Sequence, residues 1–161
     1  MRVGQPRVNQ YHSRYFQTID DKGRIALPGK LRRVAEAESG TTGEKLQFYV
    51  RYLDGGLALF TEPAWRPLVD YYLSLNNLDA DQRGRKRSFF TAVEDVTCDK
   101  HGRITIPQHL REKAGLTGSI VIVGVGDHIE VWNAEEFQRI DENVDAPSGE
   151  NRGPAGARSA P

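Results

Sequence analysis

Residues 18–35 read TIDDKGRIALPGKLRRVA, and residues 97–114 read TCDKHGRITIPQHLREKA. The two segments align without a gap at an offset of 79 and share nine of eighteen residues. The identities are Thr18/Thr97, Asp20/Asp99, Gly23/Gly102, Arg24/Arg103, Ile25/Ile104, Pro28/Pro107, Leu31/Leu110, Arg32/Arg111 and Ala35/Ala114. A repeat of this kind decides the architecture before any local signal does. In each copy, Ile25 and Leu27, or Ile104 and Ile106, alternate with polar or small neighbours, which is the period of a half-buried strand. Gly23 and Gly102 fall where a tight turn requires positive φ. Pro28 and Pro107 stop the strand and suit the first turn of a helix, expected over residues 29–37 and 108–114. Gly115 ends the second of these.

The parallel extends beyond the motif. Further strands are expected at 46–52, 57–60, 119–124 and 128–132, joined by the hairpin signals Asp54-Gly55-Gly56 and Gly126-Asp127. LALF at 57–60 ahead of Trp65 matches IEVW at 129–132 ahead of Phe137. Each half is a ββαββ-like unit of roughly 50 residues, too small to bury a core alone, so the two should share one core as a pseudo-twofold pair. The class is α+β, mainly β. Pro63 opens a helix with Trp65, Leu68, Tyr72 and Leu75 at helical spacing. Asp79 and Gln82 form a capping-box signal for another helix, to about residue 93, carrying Arg83, Arg85, Lys86, Arg87, Phe89 and Phe90. The division read from this is a flexible extension at 1–13, a first copy at 14–64, a helical linker at 65–92, a second copy at 93–136 and a disordered tail at 141–161. The tail is rich in Gly, Pro, Ala and Ser and nearly free of large apolar residues.

Composition narrows the class. Of 161 residues, 38% are hydrophobic and 27% charged, with 2 Trp, 6 Phe and 6 Tyr, enough for a modest core. The mean hydropathy is −0.58. No stretch approaches the ~20 apolar residues that span a bilayer, and the N-terminus lacks the apolar segment of a secretory signal. One cysteine, Cys98, excludes an internal disulfide framework and a thiolate-rich zinc site. A reduced, cytoplasmic compartment is the expectation. The net charge of zero hides segregation: residues 1–34 carry eight Lys/Arg against two Asp, residues 83–113 eight against four acids, and residues 127–150 one Arg against eight acids. Basic clusters of this kind are either the footprint of a polyanion partner or a solvated surface.

The motifs DDKGRIALP and DKHGRITIP, each with an Asp and an Arg four residues apart, resemble the tandem motifs of the MraZ family of transcriptional regulators. That family belongs to the wider AbrB, SpoVT and MazE superfamily. The resemblance covers about residues 14–140 and includes the linker ending Arg83-x-x-x-Arg87-x-x-Phe90. It implies an AbrB-like swapped-hairpin β-barrel formed by both copies in one chain, with flanking helices. It also implies assembly into closed rings and binding of short G-rich direct repeats in double-stranded promoter DNA. The expected role is a repressor of the division and cell-wall gene cluster, including its own gene, in the cytoplasm at the nucleoid. Neither a membrane nor a small-molecule substrate is expected as a partner.

Carried over by position, Arg24 and Arg103 are the motif arginines and Asp20 and Asp99 their acidic partners. An arginine fork can take two acceptors on guanine or clamp a phosphate. The aspartates would orient the arginines rather than touch DNA. The competing reading is a pair of loop salt bridges that only pin a turn. Lys22, Lys30, Arg32 and Arg33 flank the first copy and Arg111 the second; they are candidates for phosphate contacts. His101 stands for Lys22, and Glu112 for Arg33, in the second copy, so the first should contribute more affinity. Arg83–Arg87 could bind phosphate, line a solvated face or meet an acidic neighbour.

Other signals lead nowhere. Gly124-Val-Gly126 reads as a hairpin, not a nucleotide loop. His12, His101, His109 and His128 have no ligand spacing among themselves or with Cys98, so no metal and no cofactor are expected. Cys98 aligns with Ile19 and reads as buried. Phe60, Trp65, Trp132 and Phe137 read as core. Nothing marks an enzyme. An antitoxin-like or scaffold protein of the same superfold, with a protein partner, is the alternative reading.

Overall fold

A computed structural model describes residues 10–144. The first copy runs β1 (Arg14–Thr18), β2 (Arg24–Ala26), α1 (Gly29–Ser39), a 3-10 turn at Gly43–Lys45, β3 (Gln47–Leu53), β4 (Gly56–Phe60) and α2 (Glu62–Leu73). Helix α3 (Ala80–Thr91) bridges to β5 (Val93–Thr97), β6 (Arg103–Thr105), α4 (Gln108–Ala114), β7 (Ser119–Gly124), β8 (Ile129–Asn133) and α5 (Ala134–Val144). The order of parts therefore repeats, with α3 inserted between the copies.

Glycine and proline set the boundaries. Pro28 and Pro107 cap α1 and α4 at φ −55°, one residue before each helix begins. Both helices end on a left-handed glycine, Gly40 and Gly115. Helix α1 thus runs two residues past the expected 37. Asp79 accepts from the Gln82 N–H at the start of α3, as the capping signal requires. The Gln82 amide oxygen, however, accepts from the Asn76 N–H instead of closing the box on Asp79. Helix α2 ends at Leu73, leaving Leu75 outside the apolar stripe expected of it.

The copies are interleaved. Six strands form one antiparallel sheet in the order β1-β7-β8-β4-β3-β5, and β2 pairs with β6 in a separate two-stranded ladder. Exchanging the copies reverses the sheet order and leaves it unchanged. The first strand of each copy pairs only with the other copy's sheet: Arg14–Thr18 lies against Ser119–Val123, and Val93–Thr97 against Gln47–Arg51. Among the described residues the closed barrel expected from the resemblance is not formed: β1 and β5 end the six-stranded sheet. The reason is length, since β2 and β6 have three residues each, cut by a glycine turn on one side and proline on the other. In the first copy a side chain spans the gap. Gln17 donates from Nε2 to the Ala26 carbonyl at 2.8 Å and accepts from the Ala26 N–H at 2.9 Å. Val96 holds the corresponding place in the second copy.

One core draws equally on both copies. Ile25, Leu27, Leu31 and Ala35 are buried, as are their repeats Ile104, Ile106, Leu110 and Ala114. Phe48, Val50, Ile120 and Ile122 come from the sheet's inner face. The outer face is covered too: Ala58 and Phe60 meet Trp65 of α2 and Phe89 of α3, while Val121, Val123 and Trp132 meet Phe137 and Ile140 of α5. Burial on both faces explains the unbroken apolar runs LALF and IVIV. Helix α5 continues to Val144, four residues into the segment read as tail. Ile140 packs on the Trp132 cluster, and Arg14 of β1 donates to Asp141 at 2.8 Å. Residues 1–9 of the expected extension and 145–161 of the expected tail lie outside the described residues.

Candidate nucleic-acid interface

The two D-x-x-G-R turns have the same hydrogen-bond pattern. In the first, Asp20 Oδ1 accepts from the N–H groups of Lys22 (3.0 Å) and Arg24 (2.8 Å), and Oδ2 accepts from Arg24 Nε at 2.6 Å. In the second, Asp99 Oδ1 accepts from His101 (2.8 Å) and Arg103 (2.9 Å), and Oδ2 from Arg103 Nε at 2.9 Å. Gly23 and Gly102 sit at φ +82° and +75°, and each donates its N–H to the aspartate carbonyl. A β-branched residue there would be strained.

Of its arginine's guanidinium, each aspartate engages the Nε. Among the described residues, the terminal nitrogens of Arg24 and Arg103 make no hydrogen bond, and both side chains are about one-third exposed. The bidentate end of each fork therefore stays available. The β2–β6 register pairs Arg24 with Thr105 and Arg103 with Ala26. Directly opposed residues share a face, so both arginines stand on the same outer face, with buried Ile25 and Ile104 behind them. Strand rise and spacing put their α-carbons about 8 to 9 Å apart.

Asp99 is drawn down to about 2, first by the Arg103 N–H and further by the His101 N–H and the Arg103 guanidinium. Asp20 is lowered as well, with the Arg24 N–H as the main cause. A carboxyl whose folded pKa lies below its ordinary value of about 3.9 stabilises the fold fully above that value. That contribution is lost as pH falls through the folded pKa. The amide resonances of Arg103 and, in the first turn, Arg24 are therefore expected to keep their carboxylate-bound positions down to about pH 4 and to lose them only below it. A titration of those amides by NMR checks this; a midpoint at the ordinary carboxylate value would mean that the carboxylate does not close the turn.

The remaining cations separate into groups. Lys22 is exposed at the apex of the first turn, beside the arginine face. Lys30 and Arg33 are exposed on α1. Arg32 and Arg111 are half-buried, and each lies over the turn of the other copy, an arrangement the sequence had no means to show. The α3 cations are largely engaged by their own chain. Arg83 donates to the Asn77 carbonyl and Lys86 to Leu75 and Asn77, which ties down the loop after α2, while Arg85 donates to the Tyr71 hydroxyl of α2 itself. Spent donors at i, i+2 and i+3 had no signature in sequence.

The four histidines are dispersed. His12 contacts Ser13, His109 faces Glu94 at 3.2 Å, and His101 is in the second turn. His128 stacks on Phe60 between Asp127 and Glu130. Among the described residues no three His, Cys, Asp or Glu side chains converge on a metal-sized site. Cys98 is buried, and burial pushes its thiol up to about 11, so it stays protonated near neutral pH. Among the same residues no helix is long and apolar enough to cross a membrane.

Fold and site define a tandem-repeat α+β protein whose copies exchange strands and present paired arginine turns on one ladder. The family model described as "MraZ protein, putative antitoxin-like" matches residues 12–88 and again 89–152. The protein named Transcriptional regulator MraZ of Heliobacterium modesticaldum is 36% identical over 135 residues, covering 83% of this chain and 87% of that one. Its namesake in Acetivibrio thermocellus is 36% identical over 140 residues, 86% of this chain and 92% of its own. That of Desulforapulum autotrophicum is 38% identical over 124 residues, 77% and 80% of the two chains. The chain belongs to the MraZ family.

Proposed function

We propose that this chain is a DNA-binding transcriptional regulator whose contact with the duplex is the outer face of the β2–β6 ladder. The observation that carries the reading is the placement of two equivalent turns on that face, each with an arginine whose terminal nitrogens are unspent. A separation of about 8 to 9 Å between the arginine α-carbons matches two to three base-pair steps at 3.4 Å. Arg24 and Arg103 read base edges, and Asp20 and Asp99 orient them. Lys22, Lys30 and Arg33 meet phosphates, which weights affinity toward the first copy. The relatives' name supports the regulatory role.

The finer reading follows the family resemblance. The chain assembles into a ring and binds short G-rich direct repeats upstream of the division and cell-wall cluster. Occupying that promoter represses the cluster and its own gene. Each chain supplies few contacts, so several subunits on several repeats supply affinity together. The exchange of β1 and β5 between copies supports kinship with AbrB-like swapped-hairpin proteins. The antitoxin-like wording of the family description favours, as second reading, a protein partner for the same basic turns.

Fluorescence anisotropy of a labelled duplex from the gene's own upstream region, against a scrambled duplex over a salt series, separates the two. Specific binding should exceed scrambled binding, and log K should fall with log salt by about 0.9 per phosphate contacted. Equal affinity for both duplexes would remove the sequence-reading role and favour the protein partner.

A further inference from the structure

A β-carbon built on Gly23 would lie 2.4 Å from Arg111 Nε and 2.7 Å from its Cζ. One built on Gly102 would lie 2.1 Å from Arg32 Nη1. Arg111 is on α4 of the second copy and Gly23 in the turn of the first; Arg32 is on α1 of the first copy and Gly102 in the turn of the second. Each helix arginine thus lies on the glycine of the opposite copy's turn, in the space a side chain would fill. The backbone joins the same places. The Gly23 carbonyl accepts from the Ile106 N–H at 2.8 Å, and the Gly102 carbonyl accepts from the Leu27 N–H at 3.0 Å. Arg111 is further held by donating from Nε to the Ile106 carbonyl at 3.0 Å, while Arg32 Nε lies 3.7 Å from Glu36.

We infer that Arg32 and Arg111 are positioning residues acting across the copies: Arg32 holds the turn that carries Arg103, and Arg111 the turn that carries Arg24. This reassigns both from the phosphate contacts their charge suggests, and it rests on the reading that the turns meet DNA. The glycines are required for positive φ, and their missing side chains leave the space that the guanidinium of the other copy occupies. Each turn is closed from within by its aspartate and covered from outside by the other copy. The two reading arginines are then set relative to each other by a reciprocal clamp rather than independently.

Crossed double-mutant cycles test this in the full chain. Arg32→Ala should weaken specific DNA binding about 10-fold alone and in the Arg24→Ala background, but by less than about 2-fold in the Arg103→Ala background. Arg111→Ala should show the opposite pattern. Equal losses in both backgrounds would overturn the assignment and restore both residues as phosphate contacts. Without DNA, Arg32→Ala should shift the amides of His101, Gly102 and Arg103 more than those of Lys22, Gly23 and Arg24 in a 1H–15N spectrum. Shifts confined to the variant's own copy would overturn it as well. Should an alanine variant fail to fold, Arg32→Met and Arg111→Met keep the aliphatic stem and serve in the same cycles. If Arg24→Ala and Arg103→Ala leave DNA binding intact, the DNA reading of the turns fails, and the amide shifts still decide the clamp.

Discussion

An Arg24→Ala/Arg103→Ala protein is expected to stay folded and lose specific DNA binding. A good bidentate contact to a base contributes about 1 to 3 kcal/mol of discrimination, so two contribute about 2 to 6 kcal/mol per chain. At 1.4 kcal/mol per tenfold, the loss is at least roughly 30-fold. Stability should change little. The ion pairs removed join side chains about one-third exposed, a setting in which solvent screens most of such a pair's attraction. The aspartates would still accept from the backbone N–H groups that close each turn. Anisotropy on the specific duplex, with a thermal melt of the same sample, measures both quantities. Unchanged affinity would show that the arginines only pin their turns. Lysine replacements should recover little, because a point charge lacks the planar fork.

The largest stability effect is expected at Trp65. Its indole is 5% exposed and stacks on Phe89 at 4.8 Å and on Tyr49 at 5.5 Å, with Phe60 tilted against it at 5.5 Å. These contacts join α2, α3, β3 and β4, so truncation opens a cavity that neighbours from four elements would have to close. Trp65→Ala should cost about 3 to 5 kcal/mol. Domains of this kind have only about 5 to 15 kcal/mol in total. The expected result is a large drop in the denaturant midpoint with the slope m unchanged. A drop under about 1 kcal/mol would mean that α2 and α3 are not docked as described. Phe137→Ala, at the corresponding place in the second copy, should cost less, since Phe137 is only half-buried.

Much of this organisation is legible in the chain because the signals are local. Gly23 and Gly102 mark positive-φ turns, Pro28 and Pro107 mark helix starts, and LALF and IVIV mark strands covered on both sides. The repeat itself carries the expectation of one shared core. What is not legible is non-local. RYFQT and VEDVT share no sequence with the strands they join, so nothing in them announces that each crosses to the other copy. Charge is equally silent about its use. Arg32 and Arg33 are adjacent and identical in type, yet one covers a distant turn and the other faces solvent. Arg83 and Lys86 look like part of a solvated basic face and instead hold a loop. The closed barrel fails for a reason of length that only the pairing reveals. Gln17 then does with an amide what a backbone ladder does elsewhere, and no sequence pattern distinguishes such a glutamine from an exposed one.

The pairing of β1 with β7 also has a consequence during synthesis. Phe16 lies opposite Val121, roughly a hundred residues later in the chain. At about 5 to 20 residues per second, the first strand leaves the ribosome several seconds before its partner exists. Through that interval a strand whose Phe16 is 66% exposed even in the folded protein waits unpaired. The N-terminal copy cannot complete its sheet as it emerges, because both β1 and β3 need strands from the second copy. Completion of the sheet therefore waits for the strands of the second copy. A nascent chain stalled after the first copy is the species most exposed to proteases and chaperones.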